Sequence, residues 1–197
     1  GPPQGAKMDP MKTTYRAMQV TSPGQLELVE RPVPTPGEGE VLIDVEACGI
    51  CGADANDIER ANPAARRVPG HEIVGRIAAM GAGVPGIWQT GQRVGVGRMG
   101  GHCQHCLQCR RGEFHLCRDQ PFVGATCDGG YAEAMVARAT GLVAIPKEFA
   151  SEEAAPILCA GLATFNALKK CRAEAGDTVA IVGIGGLGHM ALQYARK

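Results

Sequence analysis

Residues 40–47, EVLIDVEA, set Val41, Ile43, Val45 and Ala47 on one face at period two and Asp44 and Glu46 on the other, the pattern of a half-buried strand. Similar short β-rich runs lie at 15–20, 26–30, 72–78, 93–96, 131–137 and 142–145, parted by Pro/Gly punctuation such as PVPTPGEGE and GAGVPG. Many short strands without intervening helices imply an antiparallel barrel or sandwich, so the fold expected is mainly β. From Ser151 the character changes. SEEAAPIL offers an N-cap serine and two acids in a first turn, and GLATFNALKKC places Leu162, Phe165 and Leu168 at helical spacing. Residues 178–182, TVAIV, then read as a buried parallel strand, followed by GIGGLG and an amphipathic HMALQYARK.

The charges balance, 20 Lys+Arg against 20 Asp+Glu, which argues against nucleic acid or an acidic membrane as a partner. One Trp, three Tyr and four Phe leave little material for stacking bases. Hydrophobic residues, 45% of the chain, suffice for a core. No apolar run approaches a membrane span, and GPPQGAKMDPMK lacks the apolar stretch of a signal peptide, so a cytoplasmic protein is expected. Residues 1–12 read as a tail or expression scar.

Nine cysteines, an odd number in a chain without a secretory signal, favour metal or catalysis over disulfides. Four of them, Cys103, Cys106, Cys109 and Cys117, lie in RMGGHCQHCLQCRRGEFHLC. Two-residue gaps let neighbouring thiolates converge on one ion, and four soft ligands close a structural zinc shell. An iron–sulfur run of the bacterial type ends C-x3-C-P, whereas the last gap here is seven and Arg118 follows. With four thiolates in place, His102, His105 and His115 are expected to be exposed residues of the lobe.

GIGGLG follows an expected strand and opens an expected helix, the arrangement a dinucleotide fold requires. Gly183 permits the tight turn, Gly185 lets a pyrophosphate approach, and Gly188 allows close helix–strand packing, with Gly186 and Leu187 at the helix N-terminus that faces the anion. An acid about 20 residues on would grip the ribose. A doubly wound fold needs two βαβαβ halves and one βα unit is present, so the sequence reads as part of a longer enzyme.

Three further segments carry possible ligands: ACGICGAD with Cys51, PGHEIVG with His71, and APILCAG with Cys159. Spacing alone does not assemble that trio. Together with GQRVGVG, the four-cysteine lobe, DGGYAEAMV and GIGGLGHMALQYARK, these segments stand in the order found in the zinc-dependent alcohol dehydrogenases of the medium-chain dehydrogenase/reductase family, which the chain resembles from about Met18 to Lys197. The resemblance implies a GroES-like catalytic barrel over 13–160, with the structural zinc lobe, and the start of a Rossmann domain over 161–197. It makes Cys51, His71 and Cys159 ligands of a catalytic zinc, and Cys103, Cys106, Cys109 and Cys117 those of a structural one. Glu72 matches a carboxylate that can approach the metal, and Asp54 the acid that orients the imidazole. Cys48, spaced C-x2-C from Cys51, is a rival ligand, while Cys127 and Cys171 read as small buried apolar side chains.

The implied activity is hydride transfer between an alcohol or aldehyde and a nicotinamide cofactor, NAD favoured over NADP, by a homodimer or homotetramer, with the 197 residues inactive alone. The departures lie just after the first ligand. Where the family commonly has His or Arg, then Ser or Thr, then His three beyond, this chain has Gly52, Ala53 and Asn56, so the usual side-chain proton relay is absent. Two other readings are a zinc-stabilised binding or structural module without chemistry, and a zinc-ribbon nucleic-acid binder suggested by Arg110, Arg111 and Arg118.

Overall fold

The computed structural model describes residues 12–197, so the tail reading falls outside them apart from Lys12. A hairpin of β1 (Thr14–Ser22) and β2 (Gln25–Pro32) precedes β3 (Glu40–Cys48), helix α1 (Gly52–Arg60), β4 (Ile73–Met80) and β5 (Arg93–Val96). Then come α2 (Leu107–Arg110), β6 (Ala134–Arg138), β7 (Leu142–Ala144), α3 (Ser151–Ala154), α4 (Ala160–Cys171) and α5 (Gly186–Ala195). The central sheet is antiparallel with order β6-β3-β4-β5-β7. All seven β-rich runs before Ser151 are strands, within a few residues at each end.

The alternation in β3 has the expected result on one face: Val41 and Ile43 are fully buried among Ile73, Ile77, Val94, Val96 and Met135. The other face is not solvent. Leu42 packs with Tyr15, Ala17, Val68 and Ala134, and Glu46 is held by Arg76 Nε at 2.7 Å and by the Ser151 hydroxyl at 2.5 Å. Hydrogen bonding does not close these strands into a barrel among the described residues; the hairpin attaches through the Ala17–Ala132 bridge and the bond from Met18 N–H to the Tyr131 carbonyl.

Three local expectations change. Helix α1 was not expected: its short polar sequence GADANDIER carries no apolar stripe, and tertiary contacts rather than periodicity specify it. The N-cap of α3 is Ala150, one residue early, because Ser151 gives its hydroxyl to Glu46. Residues 178–182 form no strand among the described residues, with Val182 fully exposed. A parallel strand exists only through ladder bonds to neighbours, and no strand lies beside it here. Leu162, Phe165, Ile184 and Leu187 are likewise exposed, although α4 and α5 pack on each other through Phe165 and Tyr194, ring centroids 5.7 Å apart. Among the described residues no helix is long and apolar enough to cross a membrane.

Glu133 fastens the hairpin to the sheet. Its carboxylate accepts from the Arg16 backbone N–H and Nε, each at 2.9 Å, and pairs with Lys12 Nζ at 2.9 Å. The Arg16 side chain and N–H, then Lys12, hold its carboxyl down at about 2. A carboxyl lowered from 4.5 stabilises the fold fully above pH 4.5 and loses that contribution as pH falls through about 2. Glu133→Gln should therefore lower stability at pH 7 by up to about 1 kcal/mol, and the gap to wild type should close in thermal melts toward pH 2. A pH-independent gap would refute the ion-pair account.

Candidate metal centres

The lobe between β5 and β6 brings Cys103, Cys106, Cys109 and Cys117 together, their sulfurs all within 4.8 Å of one another. Cys103 Sγ lies 4.0 Å and Cys106 Sγ 3.5 Å from Cys109 Sγ. Four sulfurs each 2.3 Å from one zinc stand about 3.8 Å apart, and a disulfide would need about 2.05 Å, so the donor set fits a tetrahedral ion. The Cys103 N–H points at Cys117 Sγ and the Cys106 N–H at Cys103 Sγ. Backbone N–H groups of Cys109 and Arg118 bring the Cys106 thiol down to about 6, while burial and the surrounding thiols push Cys109 up to about 12. The lobe is tied to the sheet by Arg138, which donates to the Asp119 carbonyl at 2.5 Å, and by Thr140, whose hydroxyl donates to the His102 carbonyl at 2.8 Å. The lobe histidines stay outside the cluster: His102 stacks on Phe114, His105 contacts the Cys103 carbonyl, and His115 is exposed.

A second group gathers Cys51, His71, Glu72 and Cys159, one ligand atom of each within 4.8 Å of the others. They arrive from three separate segments. Cys51 caps the N-terminus of α1, His71 and Glu72 lead into β4, and Cys159 ends the turn before α4. Cys159 can reach the others because Gly97 lets the Leu158 carbonyl close in: a Cβ there would meet it at 2.7 Å. Cys51 Sγ and Cys159 Sγ stand 3.9 Å apart, again the edge of a zinc tetrahedron.

Asp54 organises this group. Its Oδ2 accepts from the Cys51 N–H at 2.8 Å and from the Tyr131 hydroxyl at 2.7 Å, and its Oδ1 lies 2.8 Å from His71 Nδ1. Both His71 and Asp54 are buried. Burial would raise the Asp54 carboxyl, but bonds from His71, Cys51 and Tyr131 outweigh it and keep the group below its usual value. With Nδ1 carrying a proton toward Asp54, Nε2 keeps its lone pair for a metal. Burial, followed by repulsion from Cys51, pushes the Cys159 thiol up to about 12, and burial also raises Glu72. Crowding like-charged donors in this way is costly unless a cation sits among them.

Cys48 lies outside the group; burial pushes it up to about 12 and its thiol faces the Gly49 carbonyl. The expected burial of Cys127 and Cys171 is corrected: Cys127 is half-buried and Cys171 is exposed on α4. Asp57 also nears His71 and Asp54, but its carboxylate is engaged by both terminal nitrogens of Arg98. Sequence reasoning did not single out Tyr131 or the Arg98–Asp57 pair; Tyr131 was visible only as a letter of DGGYAEAMV. Asn56 is exposed and Ala53 half-buried.

At the Gly-rich turn, Gly183 has φ +86 and Gly185 caps α5. A Cβ on Gly188 would meet the Gly183 carbonyl at 1.9 Å, so the third glycine does allow the helix to press on the turn, while positions 185 and 186 face open space.

An antiparallel fold carrying one closed thiolate centre and one open thiolate–imidazole centre, followed by a Gly-rich turn into a helix, has the layout of a zinc-binding dehydrogenase. Residues 37–147 match the family Alcohol dehydrogenase GroES-like domain, and the chain belongs to that family, within the zinc-dependent medium-chain alcohol dehydrogenases. It is 44% identical over 176 residues to Alcohol dehydrogenase notN of Aspergillus sp. (strain MF297-2), covering 87% of this chain and 51% of that protein. Acetophenone reductase from Geotrichum candidum NBRC 4597, solved in complex with NAD, superposes with a TM-score of 0.84 at 32% identity over 95% of this chain and 56% of that one. A cobalt- and zinc-bound thermostable alcohol dehydrogenase from Pyrobaculum aerophilum gives 0.83 at 34% identity, over 93% and 56%. The chain thus spans about half the length of the curated relatives it matches.

If the lobe is a closed zinc site, metal binding there is folding free energy. Cys106→Ser should lose one metal per chain by elemental analysis and melt more than about 5 °C lower, the shift expected for a loss of roughly 2 kcal/mol. Full metal content with an unchanged melting temperature would remove the lobe from the list of metal sites.

Proposed function

We propose that the protein containing this chain is a zinc-dependent oxidoreductase that transfers a hydride between an alcohol, or its aldehyde, and a nicotinamide cofactor. The observation that carries this reading is the convergence of Cys51, His71 and Cys159, from three distant segments, beside a buried Asp54–His71 pair. Two soft thiolates and one imidazole leave a fourth position open, the donor set of catalytic zinc. When bound, zinc supplies Lewis acidity toward the substrate oxygen and the nicotinamide supplies the redox chemistry. The chain's own residues do the rest. Cys51, Cys159 and His71 Nε2 hold the ion, Asp54 fixes the imidazole tautomer, and Glu72, packed against Cys159, stands by as an alternative donor. Cys103, Cys106, Cys109 and Cys117 hold a second ion and shape the lobe. Gly183, Gly185, Gly186, Leu187 and Gly188 form the turn that approaches the dinucleotide pyrophosphate.

The reading extends to a cytoplasmic homodimer or homotetramer that uses NAD ahead of NADP, the cofactor choice to be checked by kcat/KM with each. Because one Gly-rich turn is a small part of a dinucleotide site, the 197 residues alone are proposed to be inactive, and assays belong on the full-length protein. There His71→Ala should cost more than the ~100-fold that removal of an outer partner typically costs, yet keep the lobe metal and most of the stability. Turnover near the wild-type rate would point to a zinc-independent reductase.

The relay positions yield a second test. Ala53 has no hydroxyl and Asn56 no basic nitrogen, so a substrate proton must leave through water or a cofactor hydroxyl. A positioned base typically contributes ~10²–10⁴-fold. Ala53→Thr combined with Asn56→His should raise alcohol oxidation near pH 7, where imidazole is partly neutral, and matter less at high pH, where hydroxide takes over. No gain at neutral pH would show that proton release does not limit this enzyme.

A further inference from the structure

We propose that Tyr131 is a positioning residue of the Cys51/His71/Cys159 centre: its hydroxyl holds Asp54 Oδ2 and thereby fixes the carboxylate whose other oxygen orients His71. The proposal rests on the reading of that group as a metal centre. Tyr131 lies 60 residues beyond His71 in sequence, on the segment leading into β6, yet its backbone is bonded to the turn that delivers His71. Its N–H donates to the Pro69 carbonyl at 3.0 Å, the Gly130 N–H to the Gly70 carbonyl at 3.0 Å, and its own carbonyl accepts from the Met18 N–H at 2.8 Å.

The ring is located as firmly as the backbone. Gly70, at φ +94, gives up the space a side chain would take: a Cβ there would meet Tyr131 Cδ1 at 2.4 Å. The ring fills that gap, and its hydroxyl emerges 2.7 Å from Asp54 Oδ2. The same oxygen accepts the Cys51 N–H, so the two donors together leave Oδ1 to His71 Nδ1. Without the hydroxyl, one short amide bond would hold Oδ2, and the carboxylate could turn about its χ2, for which sp² torsions have broad wells. The imidazole would lose its fixed partner, and Nε2 its aim.

A purely structural tyrosine would lower stability and leave metal affinity alone; a positioning one does the reverse. Tyr131→Phe keeps the ring in the Gly70 gap and deletes a single oxygen. In the full-length protein stripped of metal and titrated with cobalt(II), whose visible absorption reports thiolate and imidazole ligation, the wild type should take two ions per chain. Tyr131→Phe should bind the ion at the open centre about 10-fold more weakly, the low end of the range for outer partners, with an altered band, while the ion of the lobe is retained unchanged. Asp54→Asn should weaken the same ion, and adding Tyr131→Phe to it should cost less than Tyr131→Phe alone, because the two act through one contact. Should Tyr131→Phe lose stability with cobalt affinity and spectrum intact, or the two changes add without coupling, the positioning role falls and the metal centre stands. A wild type that binds one cobalt, at the lobe alone, would overturn both.

Discussion

The group of Cys51, His71, Glu72 and Cys159 is built around the contact between Asp54 Oδ1 and His71 Nδ1. An imidazole presents one lone pair, and the neighbour of the other nitrogen decides which nitrogen carries it. In an apolar interior a lone carboxylate would take up a proton and stop accepting. Asp54 avoids this because three donors converge on it, and together they outweigh the cost of burial. The donors come from α1, from the edge of β4 and from the approach to β6, so the centre reports on the assembly of all three.

The same economy of contacts explains how Cys51, His71 and Cys159, 20 and 88 residues apart in sequence, meet. Strands β3, β4 and β5 run side by side, and the chain enters β4 at His71 and Glu72 next to where β3 ends at Cys48. The Gly49 N–H bonds the Glu72 carbonyl at 2.8 Å, which sets Cys51 opposite His71 before any ion is considered. Cys159 is brought in from the other side. Ala154, Ala155 and Leu158 pack on Val74, burying the helical turn that precedes the cysteine, while Ser151 grips Glu46 from β3. The apolar burial supplies the free energy and the polar grip supplies the register.

The legible parts of this protein were those written in local pattern. Period-two alternation located the strands, and C-x2-C-x2-C-x7-C located the lobe, because both depend on neighbours in sequence. Helix α1 was illegible for the opposite reason: GADANDIER is polar, and its buried residue is Asp54, whose partners lie outside the helix. Tyr131 was illegible as a partner of Asp54 because only the Gly70 gap brings its hydroxyl there. TVAIV has the composition of a buried parallel strand, yet composition supplies no ladder partner, and residues 178–182 form no strand among those described. The open trio stands between these cases: spacing did not assemble it, resemblance named it, and the fold places its atoms together.

The two centres differ in how their negative charge is borne, and the difference matches their geometry. In the lobe, backbone N–H groups aim at the sulfurs of Cys106, Cys103 and Cys117 and, with bonds from neighbouring thiols, hold Cys106 down and Cys117 down against its burial, while burial raises Cys109. The protein there has built a partial cation of its own from amide dipoles, so the loop conformation and the ligand state support each other. At the open centre the fixed donors go to Asp54 instead, and Cys159 and Glu72 are left raised. With the fixed donors spent on the acid behind the imidazole, Cys159 and Glu72 carry their crowding uncompensated by amides, the condition that a bound cation would relieve.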